Sequence, residues 1–237
     1  MKIALLGYGK MGREIEQIAL QRNHTIVLKI DKENIDAITT AQLKQADVAI
    51  EFSTPNTVIN NIYKCFEAQL PVVVGTTGWH DKFDEIKSIC LKDNHALFYA
   101  TNFSLGVNLF FKMNEHIVRM MNNFNDYEVS MQEVHHIHKL DKPSGTAITT
   151  AEKILANQTK KNKWSIDKKD NTDLFIDVVR EDEVPGTHTV FYKSDVDEIS
   201  ITHKAYNRKG FALGAVLAAE FLLEKKGIYT MNDLLNL

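Results

Sequence analysis

Cysteine is nearly absent: the 237 residues hold two, Cys65 and Cys90, each inside a run of helical spacing and neither close to the other. That scarcity argues against a redox or metal role and for two small core side chains. Long apolar runs are missing as well. No stretch approaches the roughly 20 residues that cross a bilayer. Lys2 precedes only a five-residue apolar run, shorter than the roughly 7–15 residues of a secretory signal. Nor is there an excess of one charge: 28 Lys and Arg stand against 31 Asp and Glu, a formal charge of -3. A nucleic-acid surface is therefore not the main business of the chain. Internal repeats and low-complexity segments are lacking. These absences together lead to the expectation of a cytoplasmic protein that engages neither membrane nor nucleic acid.

What remains is an ordinary globular composition, 44% hydrophobic and 25% charged, in a chain long enough for two moderate domains. Residues 2–6 read as a buried strand, followed by a turn and a helix to about residue 20. Further strands are expected at 25–30, 47–52, 71–74 and 97–99, with helical spacing between them, as in Val58, Ile59, Ile62 and Phe66. Strand alternating with helix is the pattern of a parallel sheet. The pattern changes near Ser104. One long amphipathic helix is expected over 105–121, a strand with period-two alternation over 127–136 and a helix over 146–157. Strands follow at 175–179, 188–193 and 198–203, which suggests a mixed or antiparallel second sheet. The polar stretch 160–173 reads as a surface loop or lid. An apolar helix over 212–223 follows, and its composition does not say which domain it joins. Tyr206, Asn207 and Arg208 form a candidate hinge where the chain would return.

The turn after the first strand is Gly7-Tyr8-Gly9-Lys10-Met11-Gly12. This G-x-G-x-x-G spacing lets pyrophosphate approach the backbone and rest on the positive end of the following helix. Asp31 follows Gly12 by 19 residues at the end of the second strand, where an acid accepts hydrogen bonds from a ribose diol. Asp31 would repel a 2′-phosphate, whereas Lys32 beside it would attract one. The turns at Phe52-Ser53, at Gly75-Thr76-Thr77-Gly78 and at Ala100-Thr101-Asn102-Phe103 lie at the carboxyl ends of predicted strands. Open parallel sheets bind ligands there.

The densest chemistry lies in Glu133-Val-His135-His136-Ile-His138-Lys139-Leu-Asp141-Lys-Pro143-Ser144-Gly145-Thr146-Ala147. Histidine titrates near neutrality and donates protons. Lys139 is a candidate carboxylate anchor or second donor. Ser144, Gly145 and Thr146 begin a helix and offer hydroxyls and N–H groups to an anion. If the strand continues, His135 and His136 point in opposite directions. A metal site and a solvated basic edge are the competing readings, although strand spacing disperses the rings. Ser144 lacks the setting of a covalent nucleophile. Arg180 and the Pro185-Gly186-Thr187-His188 turn could bring a cation and donors to the same pocket. Taken singly, each reads as structural.

This last segment resembles the pattern E-[LVA]-H-H-x-x-K-x-D-x-P-S-G-T-A of the 4-hydroxy-tetrahydrodipicolinate (dihydrodipicolinate) reductases of the diaminopimelate route to lysine. The glycine turn, Gly75–Gly78, the run from Thr101 to Val107, and the segments from Ile201 to Ala205 and Phe211 to Ala215 fit as well, in family order. The resemblance implies an α/β protein with an N-terminal Rossmann-type parallel sheet and a central α+β domain with a mixed sheet. The implied bounds are a dinucleotide-binding domain over 1–103, a substrate-binding and oligomerisation domain over 104–206, and a C-terminal helix and tail over 207–237 returning to the first. It further implies a homotetramer and NADH or NADPH as cofactor; with cofactor and substrate approaching from separate domains, hinge closure around them is expected. No metal is implied. His135 matches the general acid and Lys139 the second proton donor or carboxylate anchor. His136 matches a substrate contact, and Ser144, Gly145 and Thr146 the carboxylate cradle. Gly7 to Gly12, Asp31, Gly75, Thr76, Thr77, Ala100, Thr101, Asn102 and Phe103 match the cofactor contacts. Two departures are visible. The glycine turn is shorter than the G-x-x-G-x-x-G of many relatives, and Glu181-Asp182-Glu183 intervenes after Arg180, where relatives commonly have R-x-G.

Overall fold

A computed structural model describes residues 1–31, 38–167 and 172–237. Lys32, weighed above for its effect on a 2′-phosphate, lies outside the described residues. The chain divides into two units, Met1–Leu105 with Arg208–Leu237, and Gly106–Asn207.

In the first unit β1 (Lys2–Leu6), α1 (Lys10–Gln21), β2 (Thr25–Ile30), α2 (Thr40–Leu43), β3 (Val48–Glu51), α3 (Val58–Glu67), β4 (Val72–Val74), α4 (Phe83–Lys92) and β5 (Ala96–Tyr99) follow one another. The strands predicted at 2–6 and 25–30 are observed with those bounds. The other three differ by one residue at their ends. Residues 3–6, all of β3 and all of β4 are buried. Continuous apolar strands of this kind mark a sheet covered on both faces. α1 buries Gly12, Ile15 and Ala19 on a single stripe, the 3.6-residue periodicity of a helix lying on a sheet.

The second unit begins with α5 (Leu105–Met121), β6 (Glu128–His135) and α6 (Gly145–Leu155). It continues with β7 (Lys163–Ser165), β8 (Asp173–Arg180), β9 (Thr187–Lys193) and β10 (Glu198–Lys204). Their sheet order is β10-β9-β6-β8-β7. β9 runs antiparallel to β6 and β10, whereas β8 runs parallel to β6 and β7, so the sheet is mixed. Val129, Met131, Leu174, Ile176, Val190 and Tyr192 pack with Val107, Phe110, Ala147 and Ile154 of the two helices. The alternate residues Ser130, Gln132, Phe175, Asp177 and Phe191 line an open cleft of about 610 Å³ on the other sheet face.

Part of the stretch 160–173, expected to be a loop or lid, is instead the edge strand β7, with Trp164 packed on this core. Lysines on either side of one half-buried tryptophan conceal the strand in the sequence. Residues 168–171 of that stretch lie outside the described residues.

The chain returns as α7 (Lys209–Leu222), β11 (Gly227–Tyr229) and α8 (Met231–Leu235). α7 buries Ala212, Gly214, Ala215, Val216, Ala218, Ala219 and Leu222 against the first sheet, which settles where the apolar helix belongs. Its row of small side chains lets the helix lie close to the strands. β11 adds to β5, and the completed parallel sheet has the order β11-β5-β4-β3-β1-β2. The chain leaves β1 towards β2 and then crosses to β3 on the other side. This reversal makes the crevice beyond the carboxyl ends of β1 and β3 the ligand position of such sheets.

Candidate active site

At that crevice Gly7 adopts φ +104°. A Cβ there would stand 2.0 Å from the Phe52 carbonyl oxygen, so only glycine lets the first turn lie on the turn after β3. Gly7, Tyr8, Gly9 and Asp31 line one cleft of about 570 Å³ together with Arg13, Phe52, Ser53, Thr54 and Thr57. α1 opens into it at Lys10 with Gly9 as N-cap and no side-chain cap, which leaves the helix's positive end to an anion. An open cleft, a capless helix start and an acid at the end of β2 fit a dinucleotide. Tyr8 is held against the wall by a hydrogen bond to Glu16, and the Arg13 guanidinium lies 5.6 Å from its ring centre.

The other expected cofactor residues are dispersed. Lys10 is exposed, Met11 is half-buried against the core and Gly12 is buried. Thr76, Thr77, Ala100 and Thr101 line a separate shallow depression beside Trp79. Gly75 is half-buried. Asn102 accepts a hydrogen bond from the Ser104 N–H at 2.9 Å, which shapes its turn. Phe103 is a core residue packed on Phe52 and Phe98.

In the second unit the alternation of β6 puts Val129, Met131, Glu133 and His135 on the buried face. His136 leaves on the other side and is half-buried, while His138 is exposed and pairs with Glu183 at 3.2 Å. Glu133 has no exposed surface, so its carboxyl must be satisfied internally. Both oxygens accept from the Ser144 N–H, at 3.1 and 3.0 Å, and the Arg180 guanidinium donates to one of them at 3.1 Å. The remaining Arg180 donors hold the carbonyls of Lys139, Val179 and Asp141. One buried ion pair thereby pins both arms of the loop between β6 and α6. Lys139 pairs with Asp141 at 2.8 Å. Ser144 caps α6 by accepting from the Ala147 N–H, and its hydroxyl lies 3.0 Å from His188 Nε2. Gly145 and Thr146 form the first turn of that helix.

Strand register accounts for the cluster. Glu133 stands opposite His188, which stands opposite His203, and Arg180 stands beside His135. His135 Nδ1 lies 3.5 Å from Glu133. Burial holds the His135 imidazole below its ordinary pKa, with Glu133 opposing and the Lys139 and Arg180 charges adding to the effect. His188 is pushed down to about 3, by burial first and then by His135, His203 and Lys139. Glu133, His135 and His188 offer ligand atoms within 4.8 Å of one another. Arg180 and Ser144 already occupy the carboxylate, and the guanidinium opposes a cation there. Only His135 of the three sequence-adjacent histidines joins this cluster.

The family profile described as "Dihydrodipicolinate reductase, N-terminus" matches residues 1–103, and that described as "Dihydrodipicolinate reductase, C-terminus" matches residues 106–235. The chain belongs to the dihydrodipicolinate reductase family. A 4-hydroxy-tetrahydrodipicolinate reductase of Christiangramia forsetii is 50% identical over 100% of this chain and 98% of its own length. One of Neisseria gonorrhoeae is 33% identical over 94% of this chain and 84% of its own. A solved dipicolinate-bound dihydrodipicolinate reductase from Paenisporosarcina sp. TG-14 has the same fold, with a TM-score of 0.79 at 21% identity and 97% coverage of each chain.

The sequence pattern singles out His135, Lys139 and Ser144 and passes over Glu133, which His135 and Ser144 adjoin and to which Lys139 is linked through Arg180. Arg180 brings its cation into the cluster, where it pairs with Glu133. His188 is a strand-start residue buried against Ser144. Glu133 left a usable signal: it is a carboxylate on the strand face of Val129 and Met131. Gly186 (φ +153°) was noted only as part of a turn, yet a Cβ there would stand 2.9 Å from His135 Nε2. The acidic loop backs the histidines, with the His136 and Ile137 N–H groups donating to the Val184 and Asp182 carbonyls.

Proposed function

We infer that the protein reduces 4-hydroxy-tetrahydrodipicolinate to tetrahydrodipicolinate with NADH or NADPH, in the diaminopimelate route to lysine. The observation that carries this reading is the juxtaposition of a buried imidazole, a lysine and a helix start on one pinned loop, in a chain that matches the family from end to end. The chemistry supplied by a bound reduced nicotinamide is a hydride, delivered to C4 of the cyclic unsaturated imine left when the hydroxyl departs as water. Gly7, Gly9 and the start of α1 receive the pyrophosphate, Arg13 adds a positive charge in the same cleft, and Asp31 accepts from the ribose hydroxyls while disfavouring a 2′-phosphate.

Ser144, Gly145 and Thr146 hold one substrate carboxylate, Lys139 the other, and His136 supplies a further contact. Hydride arrival leaves negative charge on the conjugated nitrogen system of the ring, and His135 delivers the proton that neutralises it. In the substrate-free protein burial and nearby cations keep it neutral. Two arriving carboxylates offset the Lys139 and Arg180 charges and raise its pKa, which favours the protonated form that donates. Hydride transfer requires the two ligands to meet, and we assign that to closure at the 206–208 hinge. Trapping one conformation with and without both ligands would refute it. We further propose a cytoplasmic homotetramer joined through the open sheet face around Phe175 and Phe191. A solution mass of one 27.0 kDa chain would contradict the assembly, and recovery from the cell envelope the location.

The roles are tested by two variants. His135→Gln is expected to lower kcat by about 10²–10⁴ with little change in cofactor affinity. Lys139→Ala is expected to raise substrate KM and lower kcat together. Unchanged kinetics in either variant removes that residue from the site.

A further inference from the structure

Beneath the dinucleotide cleft lies a carboxyl that none of these steps uses. Glu51, the last residue of β3, has no exposed surface. Its Oε1 accepts from the Ser53 N–H at 3.2 Å, from the Ser53 hydroxyl and from the Asn61 amide at 3.2 Å. Oε2 is buried and has no partner among the described residues. A buried acid is costly to keep, and this one sits where apolar side chains fill both sheet faces.

Its donors come from the turn after β3 and from α3. Ser53 belongs to the turn after β3 and lines the cleft. Thr76 belongs to the turn after β4, and its Oγ1 accepts from the Ser53 N–H at 2.8 Å. Asn61 of α3, wholly buried, also donates to the Ser53 hydroxyl at 3.2 Å, and that hydroxyl lies 2.8 Å from Thr57 Oγ1. The Phe52–Ser53 turn in its turn supports Gly7, which lies against the Phe52 carbonyl. The turns after β1, β3 and β4 are thus stacked on one another: Thr76 joins the third to the middle one, and Glu51 holds the middle one.

We propose that Glu51 is a positioning residue for the dinucleotide: one buried carboxyl oxygen gathers donors from Ser53 and Asn61 and fixes the turn after β3, on which the glycine turn and the turn after β4 both rest. The charge is not what the site needs, since burial pushes the Glu51 carboxyl up from its ordinary range and no cation pairs with it among the described residues. An isosteric neutral acceptor should serve as well.

This inference rests on the dinucleotide reading of the cleft. Its test is direct titration of NADH and of NADPH into the full-length wild type, Glu51→Gln, Glu51→Leu and Asn61→Leu, without substrate. Melting temperatures of the ligand-free proteins and steady-state KM values accompany the titrations. Glu51→Gln, which keeps the acceptor, is expected to bind within about 2-fold of wild type. Glu51→Leu is expected to bind on the order of 10-fold more weakly, with cofactor KM raised and substrate KM unchanged. Asn61→Leu, away from the cleft wall, should weaken binding in the same sense and serves alone if Glu51→Leu does not fold. Folded leucine variants that bind as wild type overturn the proposal. So does a glutamine variant as weak as the leucine one, or an equal rise in both KM values. A wild type that binds neither nucleotide overturns the dinucleotide reading and this inference with it.

Discussion

His188 shows how a single side chain ties the site to stability. Its imidazole is pushed from an ordinary 6.5 down to about 3, mainly by burial, so the folded protein keeps it neutral beside Ser144. Between those two values the unfolded chain binds a proton that the folded chain refuses. Stability therefore falls as pH drops below about 6.5, by up to about 1.4 kcal/mol per pH unit from this residue. Glu51, whose folded pKa is raised, acts in the opposite sense above pH 4.5, so the comparison must be made within one variant pair. Urea midpoints measured at pH 7.5 and pH 5 should fall further in wild type than in His188→Gln, which retains a polar group near Nε2. Equal falls in both would mean that His188 does not titrate as its surroundings require.

At the scale of elements, the connection from β6 to α6 is held by the Glu133–Arg180 pair rather than by regular structure. Removing one partner strands the other charge in the interior. Glu133→Ala is expected to cost about 3–5 kcal/mol in urea unfolding, and adding Arg180→Met should recover part of that loss. A double variant as unstable as the single one would argue against the pair. The strands of this unit were legible because their inward residues alternate with polar ones, and α5 because its apolar stripe is long. β11 and α8 were not, since three and five residues carry too little periodicity. Edge strand β7 was concealed by its lysines. In the site, the histidines, the lysine and the Ser-Gly-Thr helix start declare themselves by residue type. The partners that hold them do not: Arg180 and His188 reach Glu133 only through the register of β6, β8 and β9, which one-dimensional spacing does not contain.

At the scale of the whole molecule, the proposed roles divide between the two units. Every residue assigned to the dinucleotide belongs to Met1–Leu105, whose sheet is completed by the returning segment Arg208–Leu237, and every residue assigned to the acid and the carboxylate cradle belongs to Gly106–Asn207. The unit inserted between β5 and α7 carries its own core, so on the proposed reading each half of the chemistry is preorganised by a separate fold. The most direct measurement is the absorbance of reduced nicotinamide when enzymatically generated 4-hydroxy-tetrahydrodipicolinate is added to the protein, with NADH and NADPH in parallel. Consumption that depends on both protein and substrate, with NADH, NADPH or both, is the expected result. No consumption with either nucleotide would contradict the assignment.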